Sequence, residues 1–149
     1  MAAEGRQNLM IENRSVPAAT VIPVLSYEDV GEASRWLCET FGFRERLVIG
    51  DHRIQMHAVD GGAAVILKQQ PTSQGPHSCH SVLVRVADAD SHYERAKQRG
   101  AHIRQTPESY PFGERQYSVV DPGGHIWTFS QSIADVAPED WGGTAVDLE

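Results

Sequence analysis

Apolar and polar positions follow the same order twice along the chain, and each time they predict a strand, a helix and three strands. In the first half, the β-branched stretch 20–27 predicts a strand, and Asp29 with Glu32 marks the start of a helix. Apolar residues then recur at helical spacing: Val30, Ala33, Leu37 and Phe41. Gly42 ends the predicted helix. Three short strands are predicted over 43–49, 53–59 and 63–69.

The second half repeats this pattern after a polar linker at residues 70–77. The predicted order there is a strand at 79–86, a helix at 88–99 ended by Gly100, and strands at 101–105, 116–120 and 126–131. A Gly-Gly turn precedes the last strand of each half. The sequence therefore predicts a duplicated βαβββ unit of roughly 55–60 residues. Each half has too little core to be stable alone, so we expect the halves to pack together.

The segment Tyr117-Ser118-Val119-Val120-Asp121-Pro122-Gly123-Gly124-His125-Ile126-Trp127-Thr128-Phe129 is the most specific motif. It resembles the DP-x-G-H-x-W strand–turn–strand of glyoxalase-like proteins. With the paired βαβββ order and Asp29-Val30 opening the first helix, it makes the chain similar to the vicinal-oxygen-chelate superfamily over about residues 19–132. That superfamily includes glyoxalase I, bleomycin-resistance proteins and extradiol dioxygenases.

The resemblance implies an α+β fold with two tandem βαβββ modules, whose curled mixed sheets surround a shared cavity. The modules pair within one chain or across a dimer, and the resemblance favours a homodimer. We divide the chain into a flexible arm (1–18), a glyoxalase-like domain (19–132) and an acidic tail (133–149). Within the domain, module one covers 19–69, the linker 70–77 and module two 78–132.

Metal-dependent members of this superfamily place four His or Glu ligands on the first and last strands of the two modules. The corresponding positions here are Ile22, Leu67, Ser81 and Thr128, and a register shift of one residue would replace Ser81 by His80 or Val82. An aliphatic side chain cannot bind a metal ion, and a hydroxyl is a poor ligand for a transition metal. We therefore expect no metal and no other cofactor. A divalent metal (Zn, Ni, Fe or Mn) at a different site is the alternative.

Alternating residues of each strand are expected to line the cavity. The predicted ligand-binding residues are Gln55, His57, Leu67, Ser81, Leu83, Arg85, Phe112, Arg115, Tyr117 and Thr128. Arg85 either binds a carboxylate or phosphate, or lies at the strand end and reaches solvent. The loop 110–117 either forms an aromatic rim of the pocket or packs on its own aromatic side chains.

Other residues are interpreted as structural. His125 belongs to the Gly-Gly-His turn, and His92 is expected on the solvated face of the second helix. Trp127 alternates to the face opposite Thr128 and is expected to pack against a helix. No catalytic residue is assigned. The short cluster His77-x-x-His80 is interpreted as loop histidines.

Composition and charge limit the possible partners. The 149-residue chain has a formal net charge of −7, and its 20 acidic residues outnumber its 13 basic ones. An acidic chain of this kind is not expected to bind nucleic acid phosphates. Five acidic residues lie beyond the last predicted strand: Asp135, Glu139, Asp140, Asp147 and Glu149. The acidity therefore belongs mostly to the tail, which is either solvated or contacts a partner subunit through Val136 and Trp141.

No apolar run approaches the ~20 residues that span a membrane, and no secretory signal is evident. The two cysteines, Cys38 and Cys79, are interpreted as reduced thiols, so we expect a cytoplasmic protein. The favoured function is metal-independent binding of a small organic molecule, as in bleomycin-resistance-type proteins. The alternative is a glyoxalase-like lyase, isomerase or dioxygenase with a relocated metal, so enzymatic activity is left open.

Overall fold

The computed structural model describes residues 13–15, 17–19, 21–58, 64–70, 80–145 and 148. Module one contains β1 (Val24–Tyr27), α1 (Val30–Phe41), β2 (Arg44–Ile49), β3 (Arg53–His57) and β4 (Ala64–Gln69). Module two contains β5 (Val82–Arg85), α2 (Ala89–Gln98), β6 (His102–Ser109), β7 (Glu114–Val120) and β8 (Ile126–Ser132). A 3-10 helix, Pro138–Trp141, follows. The predicted α+β fold of two βαβββ modules is confirmed.

The two sheets have the same topology. Sheet one has the strand order β1-β4-β3-β2, and sheet two has the order β5-β8-β7-β6. The first and last strands of each module pair in parallel, and the other pairs are antiparallel. The helix of each module is the crossover that a parallel pair requires. The linker's residues 71–77 and the first Gly-Gly turn lie outside the described residues.

Both helices begin at the aspartates that the sequence indicates. The side chains of Asp29 and Asp88 accept hydrogen bonds of 3.0 Å from the backbone N–H groups of Glu32 and Ser91. These bonds satisfy amide groups that have no partner within the helix. Gly42 ends α1 with a φ of 78°, which favours glycine.

The hairpin between β6 and β7 differs from the prediction. The strands extend to Ser109 and from Glu114, so the predicted long loop is a short turn at residues 110–113. The register between these strands shifts between Gln105 and Glu108, on either side of Pro107. Proline has no amide hydrogen for the ladder, and a bulge accommodates it within a strand.

One hydrophobic core unites the two modules. Phe41 of α1 packs edge-on against Trp127 and Phe129 of β8, with ring centroids 5.6 and 4.7 Å apart. The helix-facing residues of both sheets, including Leu25, Leu67 and Val119, belong to the same buried cluster. Trp127 packs in this cluster as predicted, on the face opposite Thr128.

The other face of each sheet points away from this core. We call these the open faces. The open face of sheet one carries Val24, Ser26, Gln55, His57 and Lys68. The open face of sheet two carries Leu83, Arg85, Glu114, Gln116, Ser118, Thr128 and Ser130. No helix in the part of the chain that the structure describes is long and apolar enough to span a membrane.

Candidate functional site

The open face of sheet two carries a connected set of polar side chains. The Ser130 hydroxyl donates a hydrogen bond of 2.7 Å to the Glu114 carboxylate, and the Gln116 amide donates one of 3.0 Å to Ser130. At the ends of β5 and β8, the Arg85 guanidinium donates to the Ser132 hydroxyl at 3.2 Å. We call these five residues the polar network.

The network favours an ionised carboxylate at its centre. Hydrogen bonds from Ser132 and Ser130 lower the pKa of Glu114, and the nearby charge of Arg85 adds to this effect. Farther along the sheet, the hydroxyls of Ser118 and Thr128 are 2.8 Å apart and share a hydrogen bond. The open face therefore presents fixed donors and acceptors of both signs, which can orient a polar molecule.

Aromatic side chains border the polar network where the turn between β6 and β7 precedes Glu114. The rings of Tyr110 and Phe112 are stacked, with centroids 5.3 Å apart, and the Trp141 ring lies 5.5 Å from Phe112. We call these three residues the aromatic rim. The loop thus packs on its own aromatic side chains, and Trp141 of the C-terminal tail completes the group.

The tail is held against this turn by backbone contacts. The amide of Ile133 donates to the Gly113 carbonyl at 2.8 Å, and the amide of Ala134 donates to it at 3.4 Å. Gly113 has a φ of 85°, and a Cβ at this position would lie 2.5 Å from the Ala134 carbonyl oxygen. Glycine at 113 therefore allows the tail to approach and brings Trp141 to the rim.

Several predicted site residues share one face as expected. Leu83 and Arg85 of β5 lie beside Thr128 and Ser130 of β8 in the sheet register. Leu83 is 55% exposed on this face. Ser81 is exposed immediately before β5. Phe112 stands at the aromatic rim of the same sheet, and Arg85 is exposed at the strand end with a bond to Ser132.

Gln55 and His57 lie in the other module, on the open face of sheet one. They alternate on β3 with Ile54 and Met56, which face the core. Gln55 is only 4% exposed, and its amide nitrogen donates a hydrogen bond to the Ser15 carbonyl oxygen of the N-terminal arm. These two predicted site residues are therefore not on the same sheet as the polar network.

The predicted position of Leu67 is wrong. Leu67 pairs with Leu25 in the sheet register and is fully buried in the core, so it faces the helix and not the open face. The expected register was one residue out, and on a strand a shift of one residue moves every side chain to the other face. Lys68 is the neighbouring residue that lies on the open face.

Arg115 and Tyr117 are also on the helix-facing side of β7, contrary to the predicted pocket position. Arg115 pairs with Asp90 near the start of α2, with Nε 3.0 Å from the carboxylate. Tyr117 is fully buried, and its hydroxyl contacts His92 Nδ1. Both residues alternate with Gln116, whose position on β7 places it on the open face. Alternation along β7 is the signal that identifies Gln116.

His92 does not lie on a solvated helix face as expected. Its ring stacks on Phe129 with centroids 4.0 Å apart, and it also lies near Phe41 of the other module. Burial lowers the pKa of His92 to about 4, with a smaller contribution from the charge of Arg95, while a backbone hydrogen bond to Phe41 opposes the shift. The imidazole is therefore neutral at physiological pH, half-buried against the aromatic residues of the core.

His125 is structural, as interpreted from the turn. Its Nε2 lies 2.7 Å from the Ser26 carbonyl oxygen of module one, and its ring contacts Tyr27 edge-on. The turn residue Asp121 is buried beside it and accepts hydrogen bonds from Gly123 and His125 backbone amides. The turn of the most specific sequence motif therefore builds a junction between the modules, whereas Ser118 and Thr128 in the strands of the same motif lie on the open face of sheet two.

The open faces do not fit the metal that many superfamily members bind. The positions that hold the metal ligands in metal-dependent members are occupied here by Ile22, Ser81, Thr128 and, after correction of the β4 register, Lys68. Together these side chains do not form a donor set for a transition metal. In the described ranges, no group of three or more His, Cys, Asp or Glu residues is close enough to hold an ion. We therefore derive no chemical step through a metal.

Two surface clefts lie away from the polar network. One of about 660 Å³ lies beside the start of α1 and includes Arg35, Glu45 and Asp51. The other, of about 620 Å³, lies between the end of α1 and the start of α2 and includes His92 and Arg95. Neither lining includes a residue of the polar network or the aromatic rim, so both clefts are separate from the open face of sheet two.

Paired βαβββ modules with a polar open face define a glyoxalase-type fold. The family model for the Glyoxalase/Bleomycin resistance protein/Dioxygenase superfamily matches residues 20–129, and the chain belongs to this family. TioX from Micromonospora sp. ML1 is 33% identical, with a TM-score of 0.64 over 77% of this chain and 99% of that one.

Other similarities were found with a solved structure and with two mycobacterial proteins. The fosfomycin resistance protein FosX from Listeria monocytogenes is 15% identical, with a TM-score of 0.64 over 76% of this chain and 90% of its own. Mb0911c from Mycobacterium bovis and Rv0887c from Mycobacterium tuberculosis are each 35% identical over 68 residues, or 44% of this chain. The match spans 43% and 38% of those proteins, which is less than half of their length.

Proposed function

We propose that this protein binds a small organic molecule on the open face of sheet two, without a resident metal ion. The polar network is the observation that carries this proposal, because it holds a guanidinium, a carboxylate, an amide and hydroxyls on one sheet face. Such groups orient a ligand through hydrogen bonds. The exposed side chain of Leu83 and the aromatic rim add apolar contact area.

We further propose that the site is closed by the open face of sheet one of a second copy, in a homodimer. Within one chain, the shared core lies on the helix-facing sides of both sheets, so the open face of each sheet points away from that core. Val24 and Leu83 are 48% and 55% exposed, and pairing between chains would remove this apolar surface from water. Strands β1 and β5 each lie at a sheet edge. We also propose a cytoplasmic location, because two cysteines in the sequence are too few for a disulfide framework.

The dimer proposal is tested by sedimentation equilibrium of the wild type and of Leu83→Asp. We expect a dimer that this substitution converts to a monomer, since a buried unpaired carboxylate is costly. The matched control is Leu148→Asp, an exposed residue of the C-terminal tail. A wild-type monomer at tens of micromolar would contradict the proposed closure.

Ligand binding is tested by a thermal-shift screen of organic compounds, since binding to the native state raises the melting temperature. Arg85→Ala and Gln116→Leu are expected to abolish the shift that a hit produces. The control Arg99→Ala removes an exposed guanidinium from the end of α2 and is expected to retain it. Shifts that survive both network substitutions would place the ligand elsewhere.

The alternative function, a glyoxalase-like lyase, isomerase or dioxygenase with a relocated divalent metal, is tested by the metal content after purification without chelators. Stoichiometric zinc, nickel, iron or manganese would overturn the metal-free proposal. The donor set on the open faces favours the binding function, because the positions used by metal-dependent members carry Ile22, Lys68, Ser81 and Thr128.

A further inference from the structure

Part of the N-terminal arm lies against the open face of sheet one. The Gln55 amide nitrogen donates a hydrogen bond of 2.9 Å to the Ser15 carbonyl oxygen. The Arg46 guanidinium donates one of 2.7 Å to the Arg14 carbonyl oxygen and one of 2.6 Å to the Gln55 amide oxygen. Two side chains that bond to each other thus hold two consecutive main-chain carbonyls of the arm.

A β-bulge explains why Arg46 reaches this position. The register between β2 and β3 shifts between Glu45 and Leu47, so Arg46 is the extra residue. A bulge redirects a side chain relative to regular alternation. The neighbouring Glu45 accepts a hydrogen bond from Ser34 of α1, whereas Arg46 bonds to Gln55 on the open face.

Further contacts involve the described residues of the arm. The Ser15 amide donates to the Asn13 side chain at 3.0 Å, and Pro17 is buried. The Gln55 side chain is 4% exposed and has both its amide oxygen and its amide nitrogen bonded. A buried amide is costly unless its hydrogen bonds are made, so the arm satisfies a donor that would otherwise need another partner.

We propose that Arg46 and Gln55 form a main-chain clamp that holds residues 14 and 15 of the same chain against the open face of sheet one. Any molecule that contacts Gln55, whether a ligand or the paired face of a second copy, must first displace residues 14 and 15. The clamp does not depend on the proposed function. Only its consequence for ligand access rests on that function.

Trypsin provides a direct test, because it cuts the peptide bond after Arg14, and the carbonyl oxygen of that bond accepts a hydrogen bond from Arg46. We compare the initial rate of cleavage between Arg14 and Ser15 in the folded wild type and in Gln55→Leu. This variant has a similar volume and neither hydrogen-bonding group. We expect cleavage to be about tenfold faster in the variant. The loss of one or two net hydrogen bonds raises the fraction of molecules in which residues 14 and 15 are detached from the sheet by about this factor, and the rate of cleavage follows that fraction. Arg46→Leu is expected to behave in the same way.

The matched control is Arg44→Leu, which removes an exposed guanidinium from the same strand. It is expected to cleave at the wild-type rate. The urea-unfolding midpoint of each variant shows whether a change in its cleavage rate comes from a loss of global stability. Equal cleavage rates in the wild type and both clamp variants, with their folds intact, would overturn the clamp.

The concentration dependence of the protection distinguishes a strap within one chain from an exchanged arm. Protection that is unchanged over a hundredfold dilution supports the intrachain strap, whereas protection that disappears on dilution would overturn it. A ligand screen without hits leaves this result intact. An unprotected bond together with clear ligand hits would reject the strap and keep the proposed function.

Discussion

The hydroxyl of Tyr27, at the end of β1, donates a hydrogen bond to the carboxylate of Asp121, in the turn between β7 and β8. The same carboxylate accepts hydrogen bonds of 2.9 Å from the Trp127 indole, 3.0 Å from the Gly123 amide and 2.9 Å from the His125 amide. One buried carboxylate therefore fixes the turn, orients a core tryptophan and joins module two to module one.

Removing the Tyr27 hydroxyl is expected to destabilise the protein. Tyr27→Phe deletes a donor to a buried carboxylate, and the expected loss in the free energy of unfolding is about 1–3 kcal/mol. Burial, followed by the nearby charge of Asp121, raises the pKa of Tyr27 well above its ordinary value, so the hydroxyl remains a donor at alkaline pH. Urea unfolding measures the loss. Tyr93→Phe, on α2, is the control, and an equal loss in both variants would contradict this role.

Gly123 is expected to tolerate no side chain. A Cβ there would lie 2.6 Å from Cδ1 of the Tyr27 ring, and this ring is fixed by its bond to Asp121. Gly123→Ala is expected to cost about 1–3 kcal/mol through overpacking. Gly31→Ala, where the nearest atom is 3.4 Å away in the first turn of α1, is expected to stabilise by ~0.5–1 kcal/mol. Opposite signs in urea unfolding are the expected result.

His92 is expected to make stability depend on pH. Its pKa is about 4 in the folded protein and about 6.5 in an unfolded chain, so between these values the unfolded state binds more protons. Stability therefore rises with pH across this window, and a fall from pH 8 to pH 5 costs about 2 kcal/mol from this group. The groups that face the imidazole are the Tyr117 hydroxyl and the charge of Arg95.

The comparison that isolates His92 is the difference in urea-unfolding free energy between pH 8 and pH 5 in the wild type and in His92→Gln. We expect the difference to be smaller in the variant by about 2 kcal/mol. His102→Gln, at the exposed start of β6, is the control and is expected to keep the wild-type dependence. Identical pH profiles in all three proteins would show that His92 is not held neutral by burial.

Gly113 is expected to hold the C-terminal tail. In Gly113→Ala the new Cβ would meet the Ala134 carbonyl oxygen at 2.5 Å, so the tail must move away from the aromatic rim. Cleavage after Glu139 by a glutamate-specific protease is expected to accelerate several-fold. Gly100→Ala, which has a similar φ of 78° with nothing within 4 Å, separates backbone strain from displacement of the tail. Equal acceleration in both variants would contradict the tail contact.

Local patterns predicted the elements well because their causes are local. The two aspartate caps, the apolar spacing of α1 and the glycine that ends it all appear in the structure. The site was harder to predict. Arg85 and Thr128 lie on the expected face, but Leu67 lies on the other one. The register of a strand depends on the strands beside it, so counting residues from a turn can be wrong by one, and a shift of one residue moves a side chain to the opposite face.

Three features could be read from the sequence alone: the duplicated βαβββ order, the resemblance to the family, and Ile22, Ser81 and Thr128 at three of the positions where related proteins bind a metal. These follow from periodicity, turn residues and residue identity, which need no partner. Only the tertiary structure shows that His92 stacks on Phe129 near Phe41, that Trp141 lies beside Phe112, and that Gln55 bonds to the Ser15 carbonyl. Each of these contacts joins residues distant in the chain, and only packing of the whole core and its termini brings them together.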